Sequence, residues 1–121
     1  MSQKILVVDD DELVVLAVRE LLTPLGFSVT TCSSGPEAIE KAAADRYDLV
    51  ILDVIMPEMD GFEVCQRIRQ IDSYAETPIM MLTAKSGEED RQRGMEAGAN
   101  LYLPKPISPK RLITLVEEAM K

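Results

Sequence analysis

The feature that most constrains the fold of this chain is the alternation of short apolar runs with helix-forming segments. Buried β-strands are predicted at the apolar runs 4–8, 48–53, 78–84 and 101–103, and a further strand is predicted at residues 28–32, "SVTTC". A strand that is apolar on both faces must be covered on both sides, so the pattern predicts a parallel sheet between two layers of helices. Five strand–helix units are too few for a closed eight-stranded barrel. An open, doubly wound α/β sheet is therefore expected.

The helices between the strands are predicted from periodicity and from capping residues. The first helix is expected to turn one apolar face inward and to end at Gly26, with Pro24 shortening its last turn. That face is predicted to contain Val14, Ala17, Val18, Leu21, Leu22 and Leu25. Helix-start patterns precede three later helices, at Asp60 with Glu63, Ser86 with Glu89, and Ser108 with Pro109. The first two pairs have the spacing of a capping box.

Length and composition exclude several classes of protein. The chain has 121 residues and is 46% hydrophobic, which fits a single domain over residues 1–121. Its net charge of -8 argues against direct nucleic-acid binding. Because the chain has no histidine, catalysis by histidine and metal ligation by histidine are both excluded. No apolar run reaches membrane-spanning length, and the first residues lack signal-peptide character, so we expect a cytoplasmic protein. Cys32 and Cys65 are expected to be reduced and buried.

Ionisable side chains, or in one case a threonine, lie at or just after the ends of four of the five predicted strands, and only the second strand has nothing ionisable there. Asp9 and Asp10 follow the first strand, Asp53 ends the third, Thr83 lies in the fourth and Lys105 follows the fifth. Ligand sites of open parallel sheets lie beyond the carboxyl ends of the strands, so these side chains are expected to converge at one edge. Each residue taken alone is more often a turn, cap or solvated residue. The joint pattern is what indicates a site.

The chemistry of this set points to phosphoryl transfer. Two carboxylates about 4 Å apart repel by roughly 4 kcal/mol near a protein surface, so the grouped acids require a cation. Oxygen ligands without imidazole or thiolate favour Mg²⁺. A carboxylate beside Mg²⁺, an ammonium group and a hydroxyl can attack a phosphoryl group and become an aspartyl phosphate.

With these residues, the chain resembles the receiver domains of two-component response regulators, including the chemotaxis regulator. The resemblance rests on the motifs "LVVDDD", "LDVIMPEMDG", "MLTA" and "YLPKP", which occur in this order and cover essentially the whole chain. It implies a flavodoxin-like (βα)5 fold with strand order 2-1-3-4-5. It also implies a phosphorylation-activated switch rather than an enzyme that acts on a metabolite.

The resemblance further implies roles for individual residues. Asp53 would be the phosphoacceptor, and Lys105 would contact the phosphoryl oxygens. Mg²⁺ would be held by Asp9, Asp10, Asp53 and the backbone carbonyl of Ile55.

A second set of implied roles concerns the switch. Thr83 would hydrogen-bond the phosphoryl group, and Tyr102 would turn inward as Thr83 moves. Ala84 would leave room for the phosphate, and the bond from Lys105 to Pro106 would be cis. The change would reach partners through a face made of the fourth helix, the fifth strand and the fifth helix.

The implied partners are a histidine kinase or histidine phosphotransfer domain upstream, and a downstream protein or a fused output domain. No membrane partner is expected. One departure concerns receivers fused to winged-helix domains, whose last helix carries arginines that pair across a dimer. Leu115 and Glu117 stand there in this chain, and Asn100 and Leu101 replace an acidic pair, so that dimer is not expected. The sequence does not decide between a stand-alone receiver and part of a longer regulator.

Two alternatives remain open from the residues. One is a small phosphatase or phosphotransferase of the haloacid dehalogenase type, which needs a second aspartate where Ile55 stands. The other is a degenerate receiver that only docks partners, although the acids, threonine and lysine are all retained. Exposure to acetyl phosphate or beryllofluoride with Mg²⁺ distinguishes a switch, which responds, from an adaptor.

Overall fold

The structure is a computed structural model that describes residues 2–121, so Met1, the first residue of the predicted domain, lies outside the described residues. Strands and helices alternate along the whole described chain. The strands are β1 (Lys4–Val8), β2 (Ser28–Cys32), β3 (Leu49–Leu52), β4 (Ile79–Thr83) and β5 (Leu101–Pro104). The helices are α1 (Glu12–Leu22), α2 (Gly35–Ala44), α3 (Gly61–Arg69), α4 (Glu88–Ala97) and α5 (Pro109–Ala119). The predicted alternation is confirmed.

The strands form one parallel sheet in the order β2-β1-β3-β4-β5, as predicted. Register places Val8 beside Leu52 in β1 and β3, and Thr83 beside Pro104 in β4 and β5. The carboxyl ends of the strands therefore meet along one edge. Because the strand order reverses between β1 and β3, this edge is the expected place for a ligand site.

The core consists of two apolar layers, one on each face of the sheet. Alternate strand residues contribute to opposite layers, so that Leu6 and Val8 pack on one side while Ile5 and Val7 pack on the other. The central strand β3 is buried over all four of its residues. This two-sided burial explains why β1, β3 and β4 are almost continuously apolar, whereas the edge strand β2, with the sequence "SVTTC", is mostly polar and only partly buried.

Helix starts agree with the sequence patterns at two of the three predicted positions. Asp60 caps α3 by accepting a hydrogen bond from the Glu63 backbone at 3.0 Å, and Ser108 caps α5. The predicted capping box of Ser86 and Glu89 is wrong. The residue before α4 is Gly87, and no side chain caps that helix.

The first helix departs from its predicted face. Val18 and Leu22 are buried as expected, but Ala17 is exposed and Leu25 is 45% exposed. The α-helix ends at Leu22 and continues as a short 3-10 turn over Thr23–Leu25, with Gly26 in the left-handed conformation. Pro24 thus shortens the helix as predicted, and the changed geometry of the last turn leads Leu25 away from the core.

Asn100 has a structural role that its place in the sequence does not reveal. Its side-chain oxygen accepts hydrogen bonds from the Ile79 backbone and from Arg69, both at 2.8 Å. The Arg69 guanidinium also donates to the carbonyls of Tyr74, Thr77 and Gly98. One arginine thereby ties the end of α3 to the end of α4 and to the start of β4.

A second polar network joins the segment before β3 to the segment before β4. The Tyr74 hydroxyl donates to the Asp45 carbonyl at 2.7 Å and accepts from the Tyr47 backbone at 3.1 Å. Tyr74 is completely buried. Over residues 2–121, no helix is both long and apolar enough to cross a membrane.

Candidate functional site

Two buried aspartates lie side by side at the carboxyl edge of the sheet. Asp9 follows β1 and Asp53 follows β3, and their side chains are only 4% and 7% exposed. The Asp53 backbone donates to the Val8 carbonyl at 2.9 Å, which continues the β1–β3 ladder by one residue. The strand register itself therefore brings these two carboxyl groups together.

Lys105 connects the two aspartates. Its Nζ lies 2.6 Å from Asp9 Oδ2 and 3.1 Å from Asp53 Oδ2. The Lys105 backbone donates to the Thr83 carbonyl at 2.9 Å, which fixes the start of the loop after β5 against the end of β4. The bond from Lys105 to Pro106 is cis, as the resemblance implied. Residues separated by 44 to 96 positions in the chain thus form one cluster.

Each buried carboxylate divides its hydrogen bonds between the backbone and the lysine. Asp53 Oδ1 accepts from the backbone of Val54 at 2.7 Å and of Ile55 at 3.3 Å, and Asp9 Oδ1 accepts from the backbone of Asp11 at 3.0 Å. The Oδ2 atoms of both residues face Lys105. Because backbone amides hold one oxygen, the orientation of each carboxylate is fixed before any ligand arrives.

Burial and charge oppose one another in this cluster. Burial raises the pKa of Asp9, and the neighbouring Asp53 carboxylate adds to this rise, while the hydrogen bond from Lys105 counteracts it. Burial alone would lower the pKa of Lys105, but its hydrogen bonds to Asp9 and Asp53 outweigh this and leave that pKa above its usual value. The lysine is therefore charged at neutral pH, and one cation serves two carboxylates.

A third carboxylate completes a group with the composition of a metal site. Asp9, Asp10 and Asp53 each offer an oxygen, and these oxygens lie within 4.8 Å of one another. Asp10 is exposed, whereas the other two are buried, so the group opens to solvent on one side. Hard oxygen donors with an open side suit Mg²⁺, which retains several of its waters when it binds to proteins. The residues present fit that ion.

Hydrogen bonds link the side chain of Thr83, at the end of β4, to Tyr102 on β5. Thr83 is fully buried, and its hydroxyl oxygen accepts from the Lys85 backbone at 3.2 Å. The Lys85 carbonyl in turn accepts from the Tyr102 hydroxyl. One peptide segment after β4 therefore contacts both side chains that the sequence suggested as switch residues.

The response regulator receiver domain family matches residues 5–117. This chain belongs to the response regulator receiver family. The match covers nearly the whole of the described fold and includes every residue of the cluster.

Individual relatives agree with this assignment. The alkaline phosphatase synthesis transcriptional regulatory protein PhoP of Bacillus subtilis is 43% identical over 121 residues, which are 100% of this chain and 50% of that protein. The receiver thus spans about half the length of the curated relatives it matches.

Solved structures of receivers superpose closely. The chemotaxis protein CheY4 of Vibrio cholerae is 37% identical, with a TM-score of 0.94 over 98% of this chain and 99% of that one. The receiver domain of a sensor histidine kinase from Pseudomonas aeruginosa is 31% identical, with a TM-score of 0.91 over 99% and 98% of the two chains. That protein carries a magnesium ion in its active-site cleft.

The receiver brings four of the side chains suggested from its sequence into one cluster. Asp9, Asp53 and Lys105 are in direct contact, and Asp10 lies within reach of the two aspartates. The Ile55 side chain is 54% exposed beside them. Its backbone N–H is directed at Asp53.

Two contributions to the site were missed by sequence reasoning. One is the Lys85 backbone, whose N–H bonds to Thr83 and whose carbonyl bonds to Tyr102. The other is the closeness of Gly61 to the phosphoacceptor candidate, since a Cβ atom on Gly61 would lie 2.2 Å from the Asp53 carbonyl oxygen. The packing reveals that any side chain at Gly61 would displace the loop after β3.

Proposed function

We propose that this receiver is a phosphorylation-controlled signalling switch with Asp53 as its phosphoacceptor. The observation that carries the proposal is the double contact of Lys105 with Asp9 and Asp53 at the carboxyl edge of the sheet. A buried carboxylate with one oxygen held by backbone amides and the other facing a cation is oriented for nucleophilic attack. Membership of the receiver family supports the same role.

The proposed reaction transfers a phosphoryl group from a phosphohistidine of a histidine kinase or histidine phosphotransfer domain. An Asp53 carboxylate oxygen forms a bond to phosphorus, the phosphorus–nitrogen bond breaks, and the imidazole leaves with the electron pair. Lys105 neutralises charge on the transferred oxygens, and the Thr83 hydroxyl donates to one of them. Each of these groups acts by position and charge, as expected for phosphoryl transfer.

Mg²⁺ is the proposed cofactor of the transfer, held by Asp9, Asp10 and Asp53, with the Ile55 carbonyl as a further ligand. When bound, the ion supplies positive charge close to the transferred phosphoryl group. The chemistry of the donor set supports this assignment, because three carboxylates with a single lysine leave an excess of negative charge.

The output of the switch is proposed to pass through the face formed by α4, β5 and α5. The path from Thr83 through the Lys85 peptide to Tyr102 supports this, since a movement of the threonine changes the acceptor of the tyrosine hydroxyl. A partner that binds one arrangement of this face more tightly would then respond to phosphorylation. The partner is a downstream protein or a fused output domain, and a cytoplasmic location remains our prediction.

The experiment is intact-protein mass spectrometry after treatment with acetyl phosphate and Mg²⁺. Wild type is expected to gain one phosphoryl group, whereas Asp53→Asn gains none. Asp72→Asn, at an exposed aspartate on the 3-10 turn after α3, is the matched control and should behave as wild type.

Equal phosphorylation of Asp53→Asn and wild type would overturn the assignment of the phosphoacceptor. No adduct on any protein, together with no response to beryllofluoride, would indicate the alternative of a receiver that only docks partners.

A further inference from the structure

Gly94 is the glycine in α4 that packs directly against Tyr102. An added Cβ atom at this position would lie 2.6 Å from Tyr102 Cδ1 and 3.0 Å from its Cε1. Real Cβ atoms do not approach other atoms so closely, so the ring occupies space that any side chain on Gly94 would fill. Glycine is also among the least favourable residues within a helix, so its presence in α4 calls for a reason.

Backbone conformation does not supply that reason. The described glycines with a left-handed φ are Gly26 and Gly98, whereas Gly94 lies within the regular part of α4. An alanine would therefore be favoured at position 94 if only the helix mattered. Glycine is therefore needed at position 94 to leave space for the Tyr102 ring, and not because the backbone adopts a conformation that other residues disfavour.

We propose that Gly94 is the positioning residue for Tyr102. Because Gly94 has no side chain, the phenol ring can pack against α4, and this space sets the balance between inward and outward positions of the ring. This deepens the proposed function, on which its regulatory meaning rests, by naming a residue outside the cluster of acids that adjusts the switch. The inward ring is held at two points, by the gap at Gly94 and by the hydroxyl contact with the Lys85 carbonyl.

The helix cannot easily withdraw to make room for a side chain at this position. The Gly94 carbonyl accepts from the Ala99 backbone at 3.0 Å, as part of the turn that ends α4. The Gly98 carbonyl in that turn receives two hydrogen bonds from Arg69, at 3.0 Å and 2.7 Å. Since this end of α4 is tied to α3, the ring is the part that has to move.

A thermal double-mutant cycle tests the contact in the unmodified protein. Gly94→Ala in the wild-type background should lower the melting temperature by about 5 °C, because the added methyl group overlaps the ring. In the Tyr102→Ala background the same substitution should raise it by about 3 °C, because the space is open and alanine favours the helix. A sign reversal between the two backgrounds is the expected result.

Two other outcomes overturn the proposal. A rise in both backgrounds means that the methyl group fits beside the ring and that Gly94 does not position it. A fall in both means that the obstacle is another atom, for which Met81 Sδ, 3.0 Å from the added Cβ, is the candidate.

The ring position is measured by NMR with a soluble gadolinium chelate, which broadens the signals of exposed protons. The Tyr102 ring, identified by its loss in Tyr102→Phe, should be protected in wild type and at least twofold more broadened in Gly94→Ala. Gly87→Ala adds a methyl group at the start of the same helix, where only Asp90 Oδ2 lies within 3.2 Å, and should leave the ring protected. Equal protection in wild type and Gly94→Ala would contradict the proposed role.

Beryllofluoride with Mg²⁺ separates this inference from the function on which it rests. If the role of Gly94 and the proposed function are both correct, beryllofluoride should restore protection of the Tyr102 ring in Gly94→Ala. A sign reversal in the melting cycle without any response of the ring to beryllofluoride would support the role of Gly94 in placing the ring and refute its coupling to the acidic cluster. Neither the melting cycle nor the chelate measurement requires phosphorylation. Both therefore test the role of Gly94 even if Asp53 is not the phosphoacceptor.

Discussion

Replacement of Lys105 by methionine tests the electrostatics of the cluster most directly. The variant retains much of the side-chain volume but removes the cation that lies 2.6 Å from Asp9 and 3.1 Å from Asp53. Both carboxylates are then left buried and unpaired. We expect the metal-free variant to be markedly less stable than wild type at neutral pH.

The size of the loss follows from the burial of the partners. Removing one partner of a fully buried ion pair costs about 3–5 kcal/mol. The Lys105 side chain is 22% exposed, so part of its interaction is screened by solvent. We therefore expect a loss of about 2–3 kcal/mol, which corresponds to roughly 10 °C in melting temperature for a domain of this size.

Mg²⁺ should compensate for part of this loss, because it brings positive charge to the same carboxylates. A ligand stabilises the folded state in proportion to the logarithm of its concentration relative to its dissociation constant. With Lys105 absent, the site is more negative and should bind Mg²⁺ at least tenfold more tightly, which adds about 1.4 kcal/mol of stabilisation relative to wild type.

The assay is thermal and urea unfolding in EDTA and in excess Mg²⁺. Lys110→Met, at an exposed lysine on α5, is the matched control and should unfold like wild type. The reasoning is refuted if metal-free Lys105→Met melts within 2 °C of wild type, or if Mg²⁺ stabilises wild type and the variant equally.

The same variant gives a pH dependence with a definite sign. The pKa of Lys105 in the folded protein lies above its ordinary value of 10.5, so the folded state binds this proton more tightly than the unfolded state does. The stabilisation is complete below pH 10.5 and is lost as the pH rises through the folded pKa. The difference in stability between wild type and Lys105→Met should therefore shrink above pH 10.5, and a constant difference would contradict this assignment.

Four further outcomes are expected. Asp10→Ala should abolish phosphorylation by acetyl phosphate yet raise the melting temperature of the metal-free protein, because it relieves repulsion among the acids; a clear fall in metal-free melting temperature would refute this. Ile55→Asn should shorten the lifetime of the phosphoprotein, measured by timed phosphate release, because an amide can orient water where isoleucine cannot; a wild-type half-life of seconds or an unchanged rate in the variant would contradict it. Cys32 and Cys65, whose pKa values burial raises to about 12 and about 11, should resist iodoacetamide at pH 8 until urea unfolds the chain, and rapid labelling of the native protein would be inconsistent with their burial. Tyr74→Phe should cost about 1–3 kcal/mol in urea unfolding, because a buried backbone N–H loses its acceptor, while phosphorylation stays at the wild-type level; a neutral effect on stability would argue against the buried network.

The fold and most of the candidate cluster could be predicted from the sequence because both depend on local patterns. Burial on both faces makes a parallel strand continuously apolar. This pattern can be recognised in the sequence around Val50 without knowing which strands lie beside it. The carboxyl ends of parallel strands share one edge, so the residues after each run, such as Asp9 and Asp53, are placed together by topology alone. Asp60 could be assigned as a cap for the same reason, since its hydrogen bond closes within three residues.

Only the tertiary structure decided the features that depend on contacts between elements. Ser86 and Glu89 have the spacing of a capping box, yet α4 begins one residue too late for that motif to form. The hydrogen bonds from Arg69 to Asn100, and the gap at Gly94 for the Tyr102 ring, join side chains on different elements. Periodicity in a sequence records which face of an element is buried, but it contains no information on which residue of another element lies opposite. That choice is made when helices and strands pack together.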